Sequence, residues 1–117
     1  MTYQSQHLAQ NPAIADVEAL RGNAVLEFGT AWCGHCQGAQ GLIREALAGR
    51  DDVQHLKAED GSGRPLGRHY RVKLWPTLIF LRDGQEVGRS VRPQNAAALE
   101  TEMAKLPTAC RRPRVLS

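Results

Sequence analysis

Three cysteines in 117 residues are too few for the disulfide framework of a small secreted protein, which usually shows an even set of four or more. A chain of this length buries enough apolar surface to hold one domain together without such staples. The pair at Cys33 and Cys36 has no second Cys-x-x-Cys and no His-x-x-x-His beside it, which argues against a zinc clamp. No metal and no organic cofactor is therefore expected. The first twenty residues lack the basic start and apolar run of a secretory signal, and the longest strongly apolar run, residues 78–81, is far short of a membrane span. A soluble, cytoplasmic protein that does not engage membranes is the expectation.

Charge excludes little by its size: fifteen Lys and Arg against twelve Asp and Glu leave +3. The bases are scattered from Arg21 to Arg114 and are not gathered on one face with stacking aromatics, so nucleic acid is not an expected partner. The one basic cluster, RRPR at 111–114, follows Pro107 and reads as a solvated tail. With no repeat, low-complexity segment or linker before Pro107, the expected organisation is one domain over 1–106 and a basic, flexible tail over 107–117.

What is present reads as alternating strands and helices. Asn11 followed by Pro12 predicts a helix start, with Ile14, Val17 and Leu20 at helical spacing and an end near Gly22. Residues 24–28, AVLEF, are almost wholly apolar and bounded by Gly29, as in a strand covered on both faces. Leu42, Ile43, Ala46 and Leu47 mark a second helix ending at Gly49, despite Gly38 and Gly41, each costing about 1 kcal/mol against alanine. Residues 53–58 form a plausible second strand, and strand, helix, strand implies a parallel pair with a right-handed crossover. Residues 77–82 and 86–91 flank Asp83-Gly84, a tight hairpin signal. A last helix would bury Ala96, Leu99, Met103 and Leu106.

The cysteines thus sit where a strand turns into a helix. Residues i and i+3 of a first turn have Cβ atoms roughly 5–6 Å apart, so a small adjustment brings Cys33 and Cys36 to disulfide distance. Cys33 at the helix N-terminus, among unpaired N–H groups, suits an attacking thiolate. Cys36, one turn inside and more shielded, suits the resolving role.

The runs VLEFGTAWCGHC, 25–36, and LWPTLIFLRDGQEVG, 74–88, together resemble thioredoxin and the catalytic domains of protein disulfide isomerase, and the order of elements fits over residues 13–106. The resemblance implies a thioredoxin fold: a three-layer α/β/α arrangement around a mixed sheet of four to five strands. It implies Cys33 as attacking thiolate, Cys36 as resolving thiol, Trp32 and Gly34 beside them, Glu27 as the buried acid and Pro76 as the cis-proline. Taken alone, Glu27 is either a tolerated edge carboxylate or a group whose burial raises its pKa and makes it the proton acceptor for Cys36. For Pro76 the residues alone predict trans. A cis bond would leave the backbone of Trp75 free to pair with an extended substrate segment. Trp75 is either a core aromatic or an exposed one at the groove. Arg92, where thioredoxins usually carry glycine, is either a solvated charge or a selectivity element.

His35 gives the chain the Gly-His pair of the isomerases where thioredoxin has Gly-Pro. The reference potentials of the two families differ by on the order of 90 mV, so this residue bears on direction as well as rate. Three further departures stand out. Gly29 replaces an aromatic and Gly41 a proline, and both are expected to loosen packing. The lysine near the buried acid is His55 or Lys57. The family's first strand is not evident in MTYQSQHL. Cys110 is a spare thiol in the tail or a site of intermolecular pairing. The expectation is a monomeric thiol-disulfide oxidoreductase with catalytic Cys33, Cys36, Glu27 and His35, acting on protein disulfides in cell redox homeostasis. A reductase would supply electrons, and Cys110 could link two copies. The alternative is a non-enzymatic module that holds partner proteins through Trp32, Trp75 and Pro76 and uses the cysteines as a sensor.

Overall fold

In β1, Asn23–Gly29, every residue is buried, because the strand lies inside a sheet with helices against both faces. Val25 joins a core with Ile43 and Leu47 of α2, Gly34–Leu47, and Leu99 and Met103 of α4, Ala96–Met103. Ala24, Leu26 and Phe28 point the other way, into a second core with Val17 of α1, Ile14–Glu18, and Leu66 of α3, Pro65–His69. The period of two along a strand thus divides one apolar run between two cores. The computed structural model describes residues 2–107. The predicted tail from 108 onward, with Cys110 and RRPR, lies outside the described residues.

The sheet runs β2-β1-β3-β4, with β2 Val53–Glu59, β3 Thr77–Arg82 and β4 Gln85–Val91. β1 pairs parallel with β2, Glu27 opposite Lys57, and antiparallel with β3, Glu27 opposite Leu78. Asp83 and Gly84 both have positive φ, +50° and +81°, as a two-residue hairpin turn requires. A Cβ at Gly84 would sit 2.0 Å from the Glu18 carbonyl oxygen, so the turn packs directly on α1. α2 runs unbroken through Gly38 and Gly41 and is followed by Gly49 at φ +81°.

One expectation, the start and end of the first helix, is corrected. α1 begins after Ala13 with no side-chain cap and ends at Glu18, short of Gly22. Asn11 does not cap it, because its side-chain amide donates to the Glu59 carbonyl at 2.8 Å. α3 was not anticipated: it is short, and apart from Pro65 at its start it carries no periodicity. The described residues contain no strand before β1, in keeping with its not being evident in MTYQSQHL. Residues 2–11 instead form a strap along the exposed edge of β2, with Leu8 N donating to Lys57 O at 2.8 Å.

Candidate functional site

Cys33 is the N-cap of α2, and its Sγ accepts a hydrogen bond from the Cys36 amide at 3.2 Å. The sequence places it there because Ala31 and Trp32 form a turn between the last residues of β1 and the first turn of α2. Cys36 lies one turn inside at 2% exposure, against 8% for Cys33. Burial, together with the neighbouring Cys33 and the Glu27 charge, pushes the Cys36 thiol up to about 12. At neutral pH it therefore keeps its proton, and any reaction through its sulfur needs a base.

Gly29 is the reason Cys36 fits. A Cβ built there would lie 2.4 Å from Cys36 Sγ and 4.0 Å from the Trp75 Cβ. The glycine does not loosen the site as expected; the sulfur occupies the space that a side chain would fill. Gly41, by contrast, faces open space within the continuous α2.

Glu27 stands on the same face of β1 as Gly29, 1% exposed. His55 Nε2 meets its Oε1 at 2.8 Å, and Gln40 Nε2 donates to its Oε2 at 2.9 Å. The expected rise in its pKa is overturned. Burial pushes it up, but the hydrogen bonds from His55 and Gln40, with the nearby Lys57 charge, outweigh that and hold the carboxyl below its usual range. Lys57 does not bond Glu27 directly; its Nζ donates to Gln40 Oε1 at 2.9 Å and to Ser5 O at 3.1 Å. Of the two candidates for the family lysine's place, His55 touches the acid and Lys57 supports it from behind Gln40.

The rim of the site is aromatic and basic. Trp32 is 73% exposed and meets Trp75 edge to face at 5.6 Å. Trp75 itself is half-buried, neither a core aromatic nor an open one, because its Nε1 donates to Asp60 Oδ2 at 2.8 Å. The Trp75–Pro76 bond is cis and Pro76 is buried. The Trp75 carbonyl accepts Arg92 Nε at 2.8 Å. Arg92 adopts φ +50°, a region costly for a side chain with a Cβ, and its amide donates to Pro76 O. Beside it a groove of about 530 Å³ is lined by Gly34, His35, Leu42, Arg92, Pro93 and Gln94, with no acidic side chain among its walls. Gly34 and His35 are exposed in the first turn of α2.

The structure thus brings Cys33, Cys36, Glu27, Trp32, Trp75, Pro76 and Arg92 to one end of the sheet. Sequence reasoning missed Gln40 and Asp60. Gln40 carried a signal, since it stands one helical turn beyond Cys36 and bonds its carbonyl at 2.8 Å. Asp60 carried none, because its link to Trp75 spans a loop and a helix. Among the described residues no three His, Cys, Asp or Glu gather as a metal site would require, and no helix is long and apolar enough to cross a membrane.

A buried thiol beneath a more accessible one, with a carboxylate next to the pair, defines a centre for dithiol-disulfide exchange. A thioredoxin family model matches residues 6–105. The chain is 50% identical to the solved structure of thioredoxin 2 from Pseudomonas aeruginosa PAO1 in its reduced form, at a TM-score of 0.79 over 89% of this chain and 96% of that one. It is 38% identical over 68 residues to thioredoxin H2-1 of Oryza sativa subsp. japonica, covering 57% of this chain and about half, 49%, of that protein's length. It is also 38% identical over 71 residues to a thioredoxin of Chlamydia trachomatis, 60% of this chain and 69% of that one. The chain belongs to the thioredoxin family, whose members are thiol-disulfide oxidoreductases acting on protein disulfides.

Proposed function

We propose that this chain reduces protein disulfides through Cys33 and Cys36, in cytoplasmic redox homeostasis, and is itself re-reduced by a reductase. The observation that carries this reading is the layered pair: Cys33 at the helix N-cap accepting the Cys36 amide, with Cys36 buried beside Glu27. The Cys33 thiolate attacks one sulfur of the substrate disulfide, forming a mixed disulfide and releasing the other sulfur as a thiolate. Cys36 gives its proton to the Glu27 carboxylate and its sulfur attacks Cys33 Sγ. The bond between Cys33 and the substrate then breaks, the substrate leaves as a second thiolate, and the Cys33–Cys36 disulfide remains. Substrate gains two electrons and the dithiol loses two.

Trp32, Gly34 and Trp75, over the buried cis Pro76, form the surface on which the substrate segment lies. Arg92 and His35 select among substrates through the acid-free groove beside them. The working unit is a monomer of residues 1–106 carrying the basic tail, and Cys110 links two copies only under oxidising conditions, which a mass measurement without reductant resolves.

A second reading, isomerase or oxidant, is favoured by one feature, the exposed His35 between the cysteines. The reduction potential of the Cys33/Cys36 couple in a glutathione buffer, with Cys110→Ser, separates the two. A value near the thioredoxin reference of about −270 mV supports the reductant, and one near about −180 mV the isomerase. Cys33→Ser/Cys36→Ser protein should show no disulfide reduction; retained reduction would refute the assignment of the chemistry to this pair.

A further inference from the structure

His55 is fully buried and lies outside the set of residues that the Cys-x-x-Cys chemistry uses, yet it makes the shortest contact to Glu27. Its other ring nitrogen, Nδ1, accepts the backbone N–H of Gln4 at 2.8 Å. A backbone amide can only donate, so Nδ1 must carry a lone pair. A neutral imidazole with a lone pair on Nδ1 has its proton on Nε2, and that proton points at Glu27 Oε1. An imidazolium would set two donors against each other at Nδ1.

The second carboxylate oxygen is handled in the same way. Lys57 Nζ has no acceptor capacity, and together with the Tyr3 hydroxyl it donates to Gln40 Oε1. This fixes the amide so that Gln40 Nε2 faces both Glu27 Oε2 at 2.9 Å and the Cys36 carbonyl at 2.8 Å. Both oxygens of Glu27 therefore receive N–H donors, and one of those donors is tied to the turn that carries Cys36. Tyr3 closes the assembly by stacking on the His55 ring at 5.5 Å.

We propose that His55, its tautomer set by the Gln4 amide of the N-terminal strap, is a positioning residue that keeps Glu27 an ionised proton acceptor for Cys36. The strap thus contributes to proton handling as well as covering the edge of β2. This inference rests on the role of Glu27 given above. In the resolving step Glu27 takes the Cys36 proton as the Cys33–Cys36 bond forms and the bond to substrate breaks. A cavity of about 550 Å³ lined by Ser5, His7, Thr30, Cys36, Gln40 and Lys57 opens beside Cys36.

The titratable and charged groups around Glu27 are His55 and Lys57 from β2, Cys36 from α2, and Tyr3 and His7 from the strap, with Arg44 over the Tyr3 ring. A purely structural His55 would affect stability and leave the pH dependence of catalysis unmoved. The test is therefore the rate at which a mixed disulfide on Cys33 resolves, followed from about pH 4 to 8 by rapid mixing. His55→Leu should move the acid limb of that profile to higher pH than in the wild type. His55→Gln, whose amide can still donate to Oε1, should bring it back. Gln4→Pro, which removes the backbone donor to Nδ1 together with the Gln4 side chain, should shift it the same way as His55→Leu.

Coincident limbs in wild type and His55→Leu would overturn the proposal. A failure of the Glu27 role itself has a different signature: Glu27→Gln would then resolve at the wild-type rate, where a loss on the order of 10²-fold is expected. Should His55→Leu not fold, nitrogen NMR of His55 in the unaltered protein decides at neutral pH. The tautomer protonated on Nε2 supports the assignment, and an imidazolium or the Nδ1-protonated form overturns it.

Discussion

Replacing Gly29 with alanine tests the packing on which the resolving thiol depends. The new Cβ would stand 2.4 Å from Cys36 Sγ and 3.5 Å from Cys36 Cβ. Ordinary contacts between such atoms lie at roughly 3.5–4 Å, so the sulfur must retreat by about 1 Å or more. It can do so by leaving its rotamer or by parting β1 from α2. Either route is over-packing of a tight core and costs about 1–3 kcal/mol. The kinetic effect is selective. Cys33, on the helix cap, keeps its position and should attack a chromogenic disulfide at close to the wild-type rate. The resolving attack by Cys36 should slow on the order of 10²-fold, as a displacement of that size typically does to a reacting atom. Stopped-flow mixing separates the two phases, and chemical denaturation gives the stability. Gly38→Ala and Gly41→Ala serve as controls, since a Cβ at either meets nothing within 4 Å and each should gain up to about 1 kcal/mol of helix stability. A Gly29→Ala protein with unchanged resolving rate and stability would refute the argument, since it would mean that the sulfur does not occupy that space.

Two further outcomes follow from particular contacts. Arg50 grips both oxygens of Asp52 at 2.9 Å and also reaches the Leu106 carbonyl, and its hydrogen bonds, helped by Asn23, hold the Asp52 carboxyl at about 2. Because the folded pKa lies below the ordinary 3.8, the stabilisation is present above about pH 4 and fades as pH falls toward 2. It amounts to at most about 2 kcal/mol after allowance for solvent screening, and Asp52→Asn should lose it at pH 7 and flatten the acid limb of a stability-pH curve. At the rim, Arg92→Gly relieves a positive φ worth about 1–2 kcal/mol and loses one hydrogen bond worth about 1 kcal/mol, so thermal stability should change little. The same change should abolish any preference in kcat/KM for peptide disulfides flanked by acidic over basic residues; an unaltered preference would remove Arg92 from substrate selection.

The local code of this chain was legible where a short stretch decides its own conformation. The apolar run of β1, the Asp83-Gly84 turn and the glycine after α2 each act through neighbours in sequence, and each stands in the structure as read. The pair at Cys33 and Cys36 was legible for the same reason, because a strand-to-helix turn fixes an i, i+3 spacing. What sequence left open or misjudged depends on atoms distant along the chain. Asn11 looked like a helix cap until Glu59, 48 residues away, supplied a better acceptor. Gly29 read as missing bulk because nothing local shows that the Cys36 sulfur fills its place. Burial of Glu27 was legible from its apolar strand and suggested a raised pKa, but whether burial or hydrogen bonding prevails depends on which donors arrive. Those donors come from α2 and β2, and the tautomer of one is set by a strap more than twenty residues upstream. Sequence by itself determined that the chain would carry an acid in an apolar strand close to a Cys-x-x-Cys pair. Only the tertiary structure decided the charge of that acid, because desolvation acts on a residue alone whereas hydrogen bonds require partners to be brought within about 3 Å.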